Sequence, residues 1–440
     1  MVKINVDFDK IIGKIKPMHG VGQPPFRWPL ESEFFPYLTE ANIPYSRLHD
    51  VGGAYGGNIF VDIPNIFRDF SKDEYAPESY DFAFTDWLIS DLIKAGCEPI
   101  YRLGVTIENY QAVRAYRLDP PTDFAKWARI CEHIIRHYTQ GWANGFLYDI
   151  KYWEIWNEPD NEVLIKDNQM WHGTKEQFYE LYTVVSKHLK GCFGDSIKVG
   201  GYGSCGFYAW TTEKKQVKEA NSSSRIDYFV DFFHEFMSYI KENNAPLDFF
   251  SWHSYASIED TAKMADRLAD ELCQYGYAGV ETHINEWNTA PGIEKHGTSY
   301  ASCSAAGFMI AQQYTKTNLM CFYDARVAIS SYAGFFNPLT LKPFCTYYSF
   351  KAFGELYRLG KQVKCEIEGN TKGIYALAAT NSTSQAFLIA NLGEANKVTT
   401  NICEGFKAYV IDENNLMTEK PLDSQEFEIS QNQVILFCRA

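Results

Sequence analysis

Short apolar runs alternate with longer stretches of helical spacing over the first 358 residues, the pattern of βα units wound about a parallel sheet. The runs fall at 16–20, 44–49, 98–103, 150–155, 197–201, 247–253, 279–285 and 319–323, which makes eight strands, enough to close a (β/α)8 TIM barrel. Between them apolar positions recur at helical spacing and predict helices over 81–95, 121–138, 174–189, 225–243, 258–275, 299–317 and 344–359. Thr174, followed three residues later by Gln177, supplies the capping signal of one of them.

Past residue 359 the texture changes. Short alternating runs punctuated by Asn, Gly and Asp occupy 363–440 and predict a small accessory β-sandwich. The expected division is a barrel over 13–358, a sandwich over 359–440, and a strand-like opening over 1–12. No low-complexity linker separates the two modules, so they are expected to pack together.

Chemistry concentrates at two strand ends. Trp153-Glu154-Ile155-Trp156-Asn157-Glu158-Pro159-Asp160 ends one apolar run with an Asn-Glu pair, and Thr282-His283-Ile284-Asn285-Glu286-Trp287-Asn288 ends another with a second Glu beside a Trp. In a barrel, residues closing the strands share one cleft. Retaining glycoside hydrolysis needs two carboxyls so placed: one protonated to release the leaving oxygen, one ionised to attack the anomeric carbon. Asn157 suits a hydrogen bond to the neighbouring sugar hydroxyl, and Trp153 and Trp156 would form a dry wall raising the Glu158 carboxyl. Glu286 would be the ionised partner. Arg47 and His49 share one strand face and are expected to address the cleft, an ion pair within the barrel being the alternative for Arg47.

These residues resemble the glycoside hydrolases of clan A, and within them family 39, the β-xylosidase and α-L-iduronidase group. The likeness extends in order over most of the first 350 residues, through His19-Gly20-Val21, Ser46-Arg47-Leu48-His49-Asp50, Tyr80-Asp81-Phe82 and Thr85-Asp86. It implies Glu158 as general acid/base, Glu286 as nucleophile, and Arg47 with His49 at the sugar subsite. From Trp252-His253-Ser254-Tyr255 it implies a Tyr255 hydroxyl touching the nucleophile, with His253 beside the substrate, a hydrogen-bonded core group being the alternative for His253. It also implies that strand 2–8 joins the sandwich. Trp287 is expected to floor the cleft or to lie in the core. The last barrel strand departs from the family: Cys321-Phe322-Tyr323-Asp324-Ala325-Arg326 lacks its Trp and following carboxylates. Phe322 or Tyr323 is expected to replace the Trp in substrate binding, and Asp324 with Arg326 to bind a polar substituent of the sugar, unless Asp324 and Arg326 pair with each other.

Composition narrows the partners. A net charge of −14 argues against nucleic acid and anionic membranes, whereas a neutral oligosaccharide or glycoside is compatible. Aromatic content of 16% suits a sugar-stacking cleft as well as a large core. The 11 Cys are scattered without Cys-x-x-Cys spacing, so free thiols are expected, with neither metal nor cofactor. No signal-like or membrane-spanning run is visible, which makes cytoplasmic the expected location. Self-association is compatible with all of this. The expectation is a retaining, xylosidase-like glycosidase; the alternatives are an arabinofuranosidase- or galactosidase-type exo-enzyme on the same scaffold, or a silent carbohydrate-binding protein.

Overall fold

Eight parallel strands close into a barrel in chain order: β2 (Gly20–Gly22), β3 (Tyr45–Leu48), β4 (Glu98–Leu103), β5 (Tyr152–Ile155), β6 (Lys198–Ser204), β7 (Phe249–Ser254), β8 (Glu281–Trp287) and β9 (Leu319–Tyr323). The computed structural model describes residues 1–25, 33–51, 61–106, 118–211, 223–402, 404–422 and 424–439. Eight longer helices follow the strands: α1 (Phe35–Glu40), α2 (Ala83–Lys94), α3 (Phe124–Gln140), α4 (Lys175–Phe193), α5 (Ser223–Glu242), α6 (Ile258–Gln274), α7 (Ser299–Gln313) and α8 (Cys345–Leu359). The capping box at α4 forms as expected, with Thr174 Oγ1 accepting from Gln177 N and Gln177 Oε1 from Thr174 N.

Period-two alternation stacks the barrel interior in layers. Tyr45, Tyr152 and Phe249 plug the lower end, with Tyr45–Tyr152 and Tyr152–Phe249 ring centroids 5.7 and 5.5 Å apart. Two residues further along the same strands, Arg47, Glu154 and Ser251 form a buried polar layer. Aliphatic and aromatic residues of opposite parity face outward into the helices. The first barrel strand begins at Gly20 rather than at 16, because Lys16 turns aside and donates to the carbonyls of Gln312, Thr315 and Thr317.

The accessory module is one hydrogen-bonded ladder, and its strands are β10 (Lys361–Gly369), β11 (Ile374–Thr380), β12 (Gln385–Asn391), β13 (Asn396–Thr400), β14 (Lys407–Asp412), β15 (Asn415–Lys420), β16 (Glu426–Ile429) and β17 (Gln433–Arg439). The first strand, β1 (Val2–Lys14), joins it between β10 and β13, giving the order β15-β14-β17-β12-β11-β10-β1-β13-β16. Register shifts after Asp7 and Ile11 interrupt the long β1–β10 ladder. The ladder then folds over itself: Phe427 of β16 lies 5.2 Å, centroid to centroid, from Phe437 of β17, six places away in the strand order. The expected sandwich is thus two layers of a single sheet. Alternation along β12 divides its faces, sending Ala386, Leu388 and Ala390 to the barrel-side core and Phe387 and Ile389 into the core between the layers.

The ten described cysteines are all unpaired thiols. Among the described residues no helix is long and apolar enough to cross a membrane.

Candidate active site

The polar layer is the base on which the site is assembled. Arg47, 1% exposed, donates from Nε to Glu154 Oε2 (2.7 Å), from Nη1 to Glu286 Oε2 (3.3 Å) and from Nη2 to Asn157 Oδ1 (2.5 Å). Glu154 also accepts from Ser251 Oγ (2.6 Å) and Asn285 Nδ2 (2.5 Å), so a fully buried carboxylate is satisfied by three donors. Burial pushes the Glu154 carboxyl up, but the Arg47 charge and these hydrogen bonds outweigh it and hold it below the usual range. Arg47 therefore combines the two roles expected for it, a barrel ion pair and a donor to the cleft.

Glu286 stands above this layer because the pairing of β7 with β8 shifts register between Trp252 and His253, matching Ile284 to Trp252 but Glu286 to His253. The bulge lets Asn285 and Glu286 both face inward while Ile284 and Trp287 face out. Tyr255 donates its hydroxyl to Glu286 Oε1 at 2.7 Å, as expected. Burial and the neighbouring Glu158 charge push the Glu286 carboxyl up, against the opposing pull of His253, Arg47 and Tyr255.

Glu158 lies at the end of β5 on a left-handed backbone (φ 44°), preceded by a left-handed Trp156 (φ 69°). His253 Nδ1 lies 2.7 Å from Glu158 Oε1 and 3.7 Å from Glu286 Oε2, while Asn161 Nδ2 donates to Glu158 Oε2 at 2.9 Å. Burial alone would raise the Glu158 carboxyl; the hydrogen bond and charge of His253 override it and hold the group below its ordinary value. His253 is pushed up in turn, burial opposing but the two glutamates prevailing.

Gly203, on β6, makes this packing possible. Its φ of +63° is left-handed, and a Cβ there would sit 3.1 Å from Arg47 Nη2, 3.1 Å from Asn157 Oδ1 and 3.2 Å from His253 Nε2. Two tyrosines, Tyr208 from the loop after β6 and Tyr332 from the loop after β9, complete the surroundings. Tyr208 accepts a hydrogen bond from Tyr255 N (3.1 Å), and the Tyr332 ring lies 5.7 Å from that of Tyr255.

The remaining sequence-predicted residues divide. Asn157 gives its oxygen to Arg47 and keeps its buried amide N–H groups without a partner among the described residues, a free donor at the cleft floor. His49 Nε2 lies 3.1 Å from Asp50 Oδ1, which fixes the tautomer and leaves Nδ1 as an acceptor without a partner among the described residues; burial and the Arg47 charge keep the ring neutral.

The other predicted side chains are engaged within the protein. Trp287 is fully buried and stacks on Phe308 of α7 at 4.4 Å, because it points outward from β8; of its two expected places it takes the core and does not floor the cleft. Tyr323 donates its hydroxyl to Asp50 Oδ2 (2.7 Å) and accepts from Gln23 Nε2 (3.1 Å), so its polar tip is already engaged within the protein. Asp324 is fully buried and holds Arg326 through three contacts of 2.9 to 3.0 Å, the pairing alternative. The expected Trp153 and Trp156 walls likewise lie in the helix layer, with their ring N–H groups donating to the carbonyls of Ile150 and Met170.

Carboxyl oxygens of Glu158 and Glu286 lie within 4.8 Å of one another, with His253 between them. The family model described as glycosyl hydrolases family 39 matches residues 33–297, which contain both glutamates and every residue of the polar layer. The chain belongs to glycosyl hydrolases family 39. The chain is 22% identical to a β-xylosidase of Geobacillus stearothermophilus over 225 residues, which span 49% of this chain and 39% of that protein. In fold it is similar to a glucosidase from Croceicoccus marinus (TM-score 0.78, 18% identity, covering 100% of this chain and 98% of that one). It is similar also to a family 39 β-xylosidase from Caulobacter crescentus (TM-score 0.70, 15% identity, 99% of each chain).

Proposed function

We propose that this family 39 chain is a retaining glycoside hydrolase acting on neutral glycosides, in the manner of a β-xylosidase. The observation that carries the reading is the separation of its two cleft carboxyls, whose oxygens lie within 4.8 Å of each other. Retaining sites hold the carboxyls roughly 5 to 5.5 Å apart, whereas inverting sites leave roughly 6.5 Å or more for an intervening water.

In this reading Glu158 is the general acid and then the base, and Glu286 is the nucleophile. Glu286 attacks the anomeric carbon while Glu158 protonates the departing oxygen, giving a covalent glycosyl-enzyme. Water, deprotonated by Glu158, then releases the sugar with its configuration retained. The carboxyl directions run opposite to these roles, and His253 explains why. While the imidazole holds the proton, Glu158 behaves as a carboxylate; yet that proton lies on the 2.7 Å hydrogen bond between them. A glycosidic oxygen beside Glu158 draws its proton from this pair, and positive charge developing at the anomeric carbon favours the ionised Glu286. Asn157 Nδ2 and His49 Nδ1 offer one donor and one acceptor to the bound sugar.

The test is a panel of nitrophenyl xylosides, glucosides, galactosides and arabinofuranosides, with the anomeric configuration of the first-formed product followed by proton NMR. A product of retained configuration, and xyloside among the substrates hydrolysed, is expected. Inversion would end the mechanism, and absence of hydrolysis across the panel would favour a carbohydrate-binding role.

A further inference from the structure

Glu132, His188 and Cys192 meet in the outer layer of helices and have no part in the mechanism above. His188 and Cys192 stand one turn apart on α4, and Glu132 reaches them from α3, the helix packed alongside. His188 Nε2 lies 2.6 Å from Glu132 Oε2 and 3.8 Å from Cys192 Sγ, and the three residues bring one nitrogen, one sulfur and one carboxyl oxygen within 4.8 Å of one another. Among the described residues one other set of such donors converges as closely, and it is the catalytic group Glu158, His253 and Glu286.

A Glu–His hydrogen bond between two helices needs no thiol, yet the Cys192 sulfur faces the same nitrogen. The spacings are close to those a metal ion would set. Bonds of about 2.0 to 2.3 Å to zinc put tetrahedral donors roughly 3.3 to 3.7 Å apart, and the two His188 distances bracket that range, so small side-chain rotations suffice. Arg136, one turn beyond Glu132, donates from Nε to Glu132 Oε1 at 2.7 Å, and its Cζ lies 5.2 Å from the centre of the Phe193 ring. It thereby fixes the carboxylate with Oε2 turned to the other two donors, as the groups behind a metal ligand do. All three side chains are half-buried, so solvent can supply a fourth ligand. Spacing along the chain hides the set, because Glu132 and His188 are 56 residues apart.

We propose that Glu132 Oε2, His188 Nε2 and Cys192 Sγ bind one Zn2+ ion, which pins α3 to α4 outside the catalytic cleft. A thiolate with an imidazole selects zinc over Mg2+ and Ca2+, which take oxygen ligands. Binding breaks the Cys192 S–H bond, forms a Zn–S bond and passes the proton to solvent, while the imidazole carries its own proton on Nδ1. Burial and then the Glu132 charge hold the free thiol above its usual range, against a smaller pull from Arg136, so the thiolate forms only as the metal binds. None of this depends on the hydrolase reading.

Co2+ added to the full chain with its thiols reduced tests this, because a cobalt–thiolate bond gives a near-ultraviolet charge-transfer band. The catalytic group holds no sulfur and cannot give it. The band should saturate at one ion per chain, and Zn2+ should bleach it by displacing the cobalt. Apparent affinity should rise about tenfold per pH unit between about pH 7 and 8, from the release of one proton. Cys192→Ser should abolish the band. Glu132→Gln and His188→Gln, which keep the thiol, should each weaken Co2+ binding by more than the about 10- to 100-fold typical of groups behind a ligand. A wild type without the band, or a band that survives unaltered in Cys192→Ser, overturns the proposal. If that variant does not fold, unaltered binding in Glu132→Gln and His188→Gln overturns it equally.

Discussion

The phenolic oxygen of Tyr255 lies 2.7 Å from Oε1 of Glu286, so the proposed nucleophile is held in place by a neutral donor from the neighbouring strand end. Burial pushes the phenol far above its usual range, so it stays a donor at every working pH. Glu286 is already pushed up by burial and by Glu158, and Tyr255 is one of the groups that oppose this. Tyr255→Phe should therefore raise the Glu286 carboxyl further and move the acid limb of kcat/KM to higher pH. Losing one hydrogen bond to a charged group, worth about 1.5 to 3 kcal/mol, should lower kcat about 10- to 100-fold. A pH–rate profile with an unmoved acid limb would separate Tyr255 from the nucleophile.

The two glutamates should fail differently when replaced. Glu286→Gln removes the attacking oxygen and should abolish turnover of every glycoside. Glu158→Gln removes only the proton donor, so hydrolysis of an alkyl glycoside should fall about 10²- to 10⁴-fold, while a dinitrophenyl glycoside should form its glycosyl-enzyme at near wild-type rate. Single-turnover kinetics on the two substrate types check this. Equal losses on both would mean that the roles have been exchanged.

Much of this arrangement is legible in the residues alone, and the exceptions share a cause. The strands 98–103 and 319–323 run as the apolar spacing predicts, and Arg47, Glu158, Tyr255 and Glu286 meet at one end of the barrel. Trp287 takes the core place, one of the two expected, because the bulge in β8 breaks the parity rule one residue before it, so that consecutive residues share a face. Glu154, Ser251 and Asn285 sit inside apolar-looking runs; only the closure of the barrel brings their side chains together around Arg47. Tyr208 and Tyr332 come from loops, whose paths no periodicity encodes. Tyr323 and Asp324 stand where spacing puts them, but Asp50, Gln23 and Arg326 already occupy their polar atoms, and such partners are invisible along one strand.

Gly203 is the residue whose role only the packing reveals. Alanine there would have to hold a left-handed φ of +63° and bring a methyl group to 3.1 Å from Arg47 Nη2 and Asn157 Oδ1. The conformation costs about 1 kcal/mol and the crowding adds to it. Gly203→Ala should thus lower the thermal midpoint by a few degrees and reduce kcat far more than that loss implies, because Arg47, Asn157 and His253 would all be displaced. Activity and melting measured on the same preparation test the pairing. A variant destabilised to this extent with wild-type kcat would show that the three side chains tolerate movement.

At the opposite end of the barrel, Glu281 gives a prediction about stability. Tyr152 Oη donates to its Oε2 at 2.9 Å, His283 Nε2 lies 3.0 Å away, and Lys198 completes an ion pair. Burial pushes this carboxyl up, but His283 and Lys198 outweigh it and bring it down to about 2, from an ordinary value of 4.5. A folded value below the unfolded one means that the stabilisation is fully present above pH 4.5 and disappears as pH falls towards 2. His283 is itself held down by burial and is largely neutral near pH 7, and the carboxyl is a quarter exposed, so the shift overstates the effect. Discounted for both, Glu281→Gln should destabilise the fold by about 1 kcal/mol at pH 7, an amount that shrinks towards zero below pH 3. Urea unfolding of wild type and variant across that range measures the difference. A constant gap at all pH values would assign the loss to packing around the amide instead of to the carboxylate charge.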